Sequence, residues 1–155
     1  MSSVRGRMAD LLPHAGPAVL LDDVLAGTDT GLSAVVTIGS GSPFHGEHGV
    51  PAHVGIEYMA QACGAFSGLR ALRAGGAPRM GFLLGTRRYL ATRAWFIDGD
   101  RLEVVVDLVY CDDEVGVFDC VIRCGDAAVA TAQLTVTEPK DVAGFPGRQD
   151  GMDDG

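Results

Sequence analysis

The sequence predicts an α+β chain in which a curved antiparallel sheet wraps around one long central helix. Three observations predict it. Two strand-like runs precede one long apolar run, and four strand-like runs follow it. The apolar run, Pro51 to Arg73, is apolar nearly all round and rich in small residues: Gly55, Ala60, Ala62, Gly64, Ala65 and Gly68. A helix of that kind has to be buried on most sides, and the small residues let a sheet come close to it. The later strands alternate apolar and polar residues, so their sheet has one apolar face to offer that helix.

The elements follow in order. Met1 to Asp10 reads as an arm or short helix, and Leu11-Leu12-Pro13-His14-Ala15-Gly16-Pro17 as a turn-rich entry. Ala18 to Leu25 reads as a strand, joined through Gly27-Thr28-Asp29-Thr30-Gly31 to a second strand, Leu32 to Ile38. Gly39 to Gly49 is a loop dense in Gly, Ser, Pro and His. Pro51 suits the first turn of the helix, and Gly75-Gly76-Ala77-Pro78 ends it. Met80 to Ala91 is a strand broken by Gly85. Arg101 to Cys111 puts Leu102, Val104, Val106, Leu108 and Tyr110 on one face. Val115 to Cys124 groups Phe118, Cys120, Ile122 and Cys124. Ala127 to Thr137 sets Ala128, Ala130, Ala132, Leu134 and Val136 opposite Val129, Thr131, Gln133, Thr135 and Thr137. Turns at Asp98-Gly99-Asp100, Asp112-Asp113-Glu114 and Gly125-Asp126 separate these runs. Residues 1–137 make a single domain, and the polar residues 138–155 are expected to form a disordered tail. One wrapped layer leaves an edge strand and a helix flank open, so a dimer is expected.

Composition narrows the function. With 155 residues, 47% of them hydrophobic, one domain can build a core without metal or disulfides. A net charge of −8 argues against a nucleic-acid partner. There is no apolar run of ~18 residues to span a membrane. The first ten residues lack the apolar stretch of a signal peptide, so the cytoplasm is the expected compartment. The cysteines, Cys63, Cys111, Cys120 and Cys124, lack CxxC spacing and read as small buried hydrophobes. There is no phosphate-binding loop, dinucleotide fingerprint or paired His/Cys ligand set, so neither cofactor nor metal is expected.

The charge is uneven. Tyr58 to Ile97 contains no Asp or Glu but holds Arg70, Arg73, Arg79, Arg87, Arg88 and Arg93, a local +6. The rest of the chain therefore carries −14, since −14 plus 6 gives −8. Arg70 and Arg73 complement the dipole at the helix end. The others suggest a basic face for a phosphate or an acidic partner.

Glu57 stands in the run Val54-Gly55-Ile56-Glu57-Tyr58-Met59-Ala60-Gln61, with no Lys or Arg within a helical turn. A carboxyl kept in apolar surroundings is expected to resist ionisation, because desolvation penalises its charged form. It can then donate a proton near neutral pH. Gln61, one turn on, is a candidate for binding substrate, placed either to hydrogen-bond Glu57 or to face the interface.

Leu-Leu-Pro-His-Ala-Gly (11–16) with Leu-Leu-Asp (20–22) resembles the start of the hotdog 3-hydroxyacyl-carrier-protein dehydratases. Val-Pro-Ala-His-Val-Gly-Ile-Glu-Tyr-Met-Ala-Gln (50–61) resembles their central helix motif, and Gly81 to Tyr89 the strand that follows. The variant most resembled is the dehydratase subunit family of aryl polyene pigment clusters, over roughly residues 10 to 137. The resemblance implies the hotdog fold and syn elimination of water from a 3-hydroxyacyl thioester, giving the trans-2-enoyl thioester. It implies a site at a dimer interface, in a homodimer or a heterodimer with a related hotdog subunit. It implies an acyl carrier protein as partner, with Arg87 and Arg88 as docking candidates. By the motif, Glu57 matches the acid that protonates the leaving hydroxyl. Ala52 matches the residue whose backbone N–H holds the thioester carbonyl. Other activities of hotdog folds remain open, namely a thioesterase, or a weak subunit that activates a partner.

The chain departs from the fatty-acid enzymes at the base, because their His-Phe-Pro-Gly motif is absent. Phe44-His45-Gly46-Glu47-His48-Gly49-Val50 stands in its place. His48 is the first candidate for the base, and His45 in the same loop is the alternative. His53, at the helix start, and His14, in the Pro-His-Ala-Gly turn, are candidates for binding substrate.

Overall fold

Alternating strands bounded by turn residues pair into one seven-stranded antiparallel sheet, in a computed structural model that describes residues 6–12, 19–77 and 81–137. Along the chain the elements are β1 (Gly6–Arg7), a 3-10 helix (Met8–Leu11), β2 (Asp23–Gly27), β3 (Gly31–Thr37) and β4 (Val50–Pro51). A second 3-10 helix (Ala52–Val54) runs into α1 (Gly55–Arg73), followed by β5 (Phe82–Ala91), β6 (Trp95–Phe96), β7 (Arg101–Cys111), β8 (Val115–Cys124) and β9 (Ala127–Thr137). The spatial order of the main sheet is β1-β2-β3-β7-β8-β9-β5, while β4 and β6 form a separate two-stranded ribbon. This is the hotdog fold, an antiparallel sheet around one central helix.

The sheet buries Val24, Leu32, Ala34, Val36, Leu102, Val104, Val106, Phe118, Ile122 and Leu134 against α1. The helix answers with Tyr58, Met59, Ala62, Cys63, Ala65, Phe66 and Leu69. The Phe66 and Phe118 rings meet edge to face at 5.6 Å, a favoured aromatic geometry. Gly68 permits the closest approach: a Cβ there would overlap the Leu11 carbonyl of the first 3-10 helix. That helix caps the core with Met8 and Leu11.

Two face assignments change. A bulge between Leu108 and Tyr110 turns Tyr110 out of its predicted face, and it is exposed. A bulge between Ile122 and Arg123 gives β9 an extra residue there, so Val129 and Ala130 are both buried while Ala128 is exposed. Cys111 lies beyond the first bulge and is exposed, and Cys124 is half-buried; only Cys63 and Cys120 are the buried hydrophobes expected. The first main strand begins at Asp23 rather than Ala18. Residues 138–155 and His14 lie outside the described residues.

Candidate functional site at the start of the central helix

Several elements converge on the first turn of α1. The ribbon pairs Val50 with Phe96 and Pro51 with Trp95. The Ala52 N–H then donates to the Ala94 carbonyl at 2.9 Å. On the other side, β5 carries a bulge between Arg87 and Leu90, with Arg88 in the left-handed region at φ 55. From this bulge Tyr89 reaches inward, and its hydroxyl donates to the Ala52 carbonyl. Gly55 makes room, since a Cβ there would overlap the Tyr89 hydroxyl.

Burial, and secondarily the nearby Tyr58 phenol, pushes the Tyr89 pKa up to about 12. Tyr58 is pushed up to about 12 as well, first by burial and then by the Asp22 carboxylate. The Tyr58 hydroxyl is buried and, among the described residues, has no hydrogen-bond partner.

The histidines flank this turn. His48 is exposed, and its ring lies 5.1 Å from the Trp95 ring, tilted by 53°. The ribbon pairing of Trp95 with Pro51 keeps His48 beside the helix start. His53 is exposed at that start. His45 is half-buried, with Nε2 2.7 Å from the Asp98 carboxylate. Glu57 is in the first turn of α1, where the helix dipole favours an anion.

Three expectations are corrected. Glu57 is exposed in this chain, not buried: it lies on the flank of α1 that the sheet leaves uncovered. The Ala52 N–H is not a free donor, because Ala94 accepts it. Gln61 is buried and its Oε1 accepts the Leu20 N–H at 2.6 Å and the Leu21 N–H at 2.9 Å, so it ties down the chain entering β2. Tyr89 and Trp95 carry no catalytic signature in sequence, yet they hold the helix start and His48.

Of the basic stretch, Arg93 pairs with Asp100 at 3.0 Å and Arg73 approaches Asp29 at 3.9 Å. Arg87 and Arg88 are exposed on β5. A cavity of about 310 Å³ opens at the other end of α1, between Ser67, Arg70, Leu108, Glu114 and Phe118. Thirteen helical residues, or about 20 Å of rise, separate Arg70 from Glu57, so it is a different place. Among the described residues no group of three or more His, Cys, Asp or Glu is set to hold a metal. No helix among them is long and apolar enough to cross a membrane.

A carboxylate or an imidazole can move protons, and a helix N-terminus can stabilise negative charge growing on an oxygen. The fold defines a hotdog protein, with these group types on and near the start of its central helix. The chain belongs to the ApeP-like family, described as ApeP dehydratase, whose model matches residues 6–146. It is similar to the dehydratase heterocomplex ApeI:P from Xenorhabdus doucetiae, at 30% identity over 87% of this chain and 92% of that chain, with a TM-score of 0.82. Family and relative together support a dehydratase-type function. The protein smu.793 from Streptococcus mutans, bound to acetyl CoA, is 14% identical over 82% of this chain and 95% of that chain, with a TM-score of 0.60. A mutant of thioesterase PA1618 from Pseudomonas aeruginosa is 16% identical over 74% of this chain and 78% of that chain, with a TM-score of 0.55. At these identities the last two share the fold alone. A comparison with curated proteins finds no match.

Proposed function

We propose that this chain is a dehydratase subunit acting on 3-hydroxyacyl thioesters carried by an acyl carrier protein, with its site completed by a related hotdog subunit. The observation that carries this reading is the helix start, where Glu57 is exposed in the first turn of α1, His53 is exposed just before it, and His48 lies 5.1 Å from Trp95, the strand partner of Pro51. Glu57 is the group that protonates the departing hydroxyl. His48 is the base that removes the α-proton. The hydroxyl leaves as water with the proton from Glu57, the α-proton stays on His48, and the Cα–H electron pair forms the double bond of the trans-2-enoyl thioester.

The partner reading draws on two features. β5 ends the sheet as an edge strand with Leu83, Leu84 and Leu90 exposed. The similar ApeI:P assembly is a dehydratase heterocomplex. Arg87 and Arg88 on the same strand are the docking candidates for an acidic carrier.

The test is mass spectrometry of a 3-hydroxyacyl carrier protein, scoring loss of water, with the chain alone and with a related hotdog subunit. Glu57→Gln should cut the rate by about 10²–10⁴-fold with the fold intact. Unchanged turnover in that variant would remove Glu57 from the chemistry, and release of free thiol instead of water would favour a thioesterase. Reversing both arginines to Glu should raise KM for the carrier-borne substrate, most at low salt, and leave kcat alone. A salt-independent or absent effect sinks the docking assignment.

A further inference from the structure

The geometry points to Tyr89 as a positioning residue that aims and polarises the His53 N–H, the backbone donor that holds the thioester carbonyl. This rests on the dehydratase reading for the identity of the ligand, but not for the geometry. Ala52 C=O and His53 N–H are the two ends of one planar peptide unit. Whatever fixes the carbonyl also fixes the direction of the N–H. Tyr89 shares in fixing it, because its hydroxyl donates to the Ala52 oxygen, which also accepts the Gly55 N–H.

His53 is the donor that the local hydrogen bonding leaves over. The Ala52 N–H is committed to Ala94. In a 3-10 helix each bond runs from residue i to i−3, so the Val54 N–H closes on Pro51 and the Gly55 N–H on Ala52. The His53 N–H has no acceptor within the helix. It also sits where the helix presents partial positive charge. A hydrogen bond into the carbonyl end of a peptide strengthens donation from its N–H end, by roughly 10–30% in condensed-phase estimates.

The arrangement is built by several residues. The bulge between Arg87 and Leu90 turns Tyr89 inward, and Arg88 takes φ 55 to allow it. A glycine at 55 gives the hydroxyl its place. The ribbon of Val50–Pro51 with Trp95–Phe96 holds the other side of the turn. The raised pKa, about 12, keeps the phenol a donor through the neutral range.

The experiment is Tyr89→Phe in the full chain, assayed with its partner subunit. Loss of one neutral hydrogen bond predicts a fall in kcat of about 3- to 10-fold with KM nearly constant. In ¹⁵N-labelled protein the His53 amide proton should move upfield. With a ¹³C=O-labelled 3-hydroxyacyl thioester bound, the carbonyl stretch should move back toward its value in water. Gly55→Ala displaces the hydroxyl without deleting it and should give the same amide shift. An unmoved His53 amide in both variants overturns the proposal, as does a rate loss that tracks only a lower melting temperature. If the wild-type assembly never eliminates water, the dehydratase reading fails, and the His53 amide still decides the Tyr89 link.

Discussion

Replacing Gln61 with Met separates a structural role from a catalytic one. Gln61 Oε1 accepts two backbone N–H groups, from Leu21 at 2.9 Å in the interior and from Leu20 at 2.6 Å in a partly buried position. Met has nearly the same length and no such acceptor. The Leu21 N–H is then stranded, at a cost of about 1–3 kcal/mol. The Leu20 N–H is closer to water and loses only an ordinary net hydrogen bond, about 0.5–1.5 kcal/mol. Apolar atoms replacing the amide return about 1 kcal/mol. The net loss is about 2 kcal/mol, or roughly 4–8 °C in melting temperature for a domain of this size. Urea unfolding followed by fluorescence of Trp95, the single tryptophan, reads it directly. Turnover per folded molecule should match wild type. A stability change below about 0.5 kcal/mol would refute the hydrogen-bond argument. A hundredfold rate loss in the folded variant would return Gln61 to the site.

Two further predictions test the packing around α1. Gly68→Ala should destabilise the chain even though Ala is the better helix former by about 1 kcal/mol. Its methyl would overlap the Leu11 carbonyl and push away the segment that buries Met8 and Leu11, each worth about 1.5–3 kcal/mol if fully exposed. Equal or higher stability in urea would show that the segment yields without loss. Tyr58→Phe removes a buried hydroxyl with no partner among the described residues and should raise stability by about 1 kcal/mol. The same variant should flatten the alkaline limb of stability. Unfolded phenols ionise near 10.0, whereas Tyr58 and Tyr89 are held near 12 in the fold. Their contribution is therefore complete below pH 10 and is lost as pH rises toward 12. Parallel pH profiles for wild type and Tyr58→Phe would contradict this.

The sequence was most legible where period-two alternation met clear turn residues. β7, β8 and β9 have the bounds that their apolar patterns and the Asp and Gly turns predict. The bulges were not legible, because one inserted residue has no compositional mark, and so Tyr110 and Val129 changed faces. The β4–β6 ribbon was missed because strands of two residues have no period to detect. The helix motif falls on the start of α1, with Glu57 in its first turn. Its neighbours misled about burial: Tyr58 and Met59 face the sheet, whereas Glu57 next to them does not. Helix spacing points Gln61 toward Glu57, but the two N–H groups its Oε1 accepts come from about forty residues earlier in the chain. Tyr89 could have been suspected only from a bulge that sequence does not display.

The exposure of Glu57 constrains how the chain can work. A carboxyl that donates a proton near neutral pH has to be taken out of water. α1 and its own sheet do not do this for Glu57. The surface around it is prepared for cover: Ile56, Ala60 and Gly64 are only half-buried along that flank, and the β5 edge exposes Leu83, Leu84 and Leu90. A second hotdog subunit laid along β5 would pair the free strand edge and bring apolar surface toward the first turn of α1. Burial of Glu57 and completion of the site would then be one event. On the proposed reading, with Glu57 as the acid, the isolated chain should be a poor dehydratase, because Glu57 is solvated there. Adding a partner should restore the rate only when Glu57 is present.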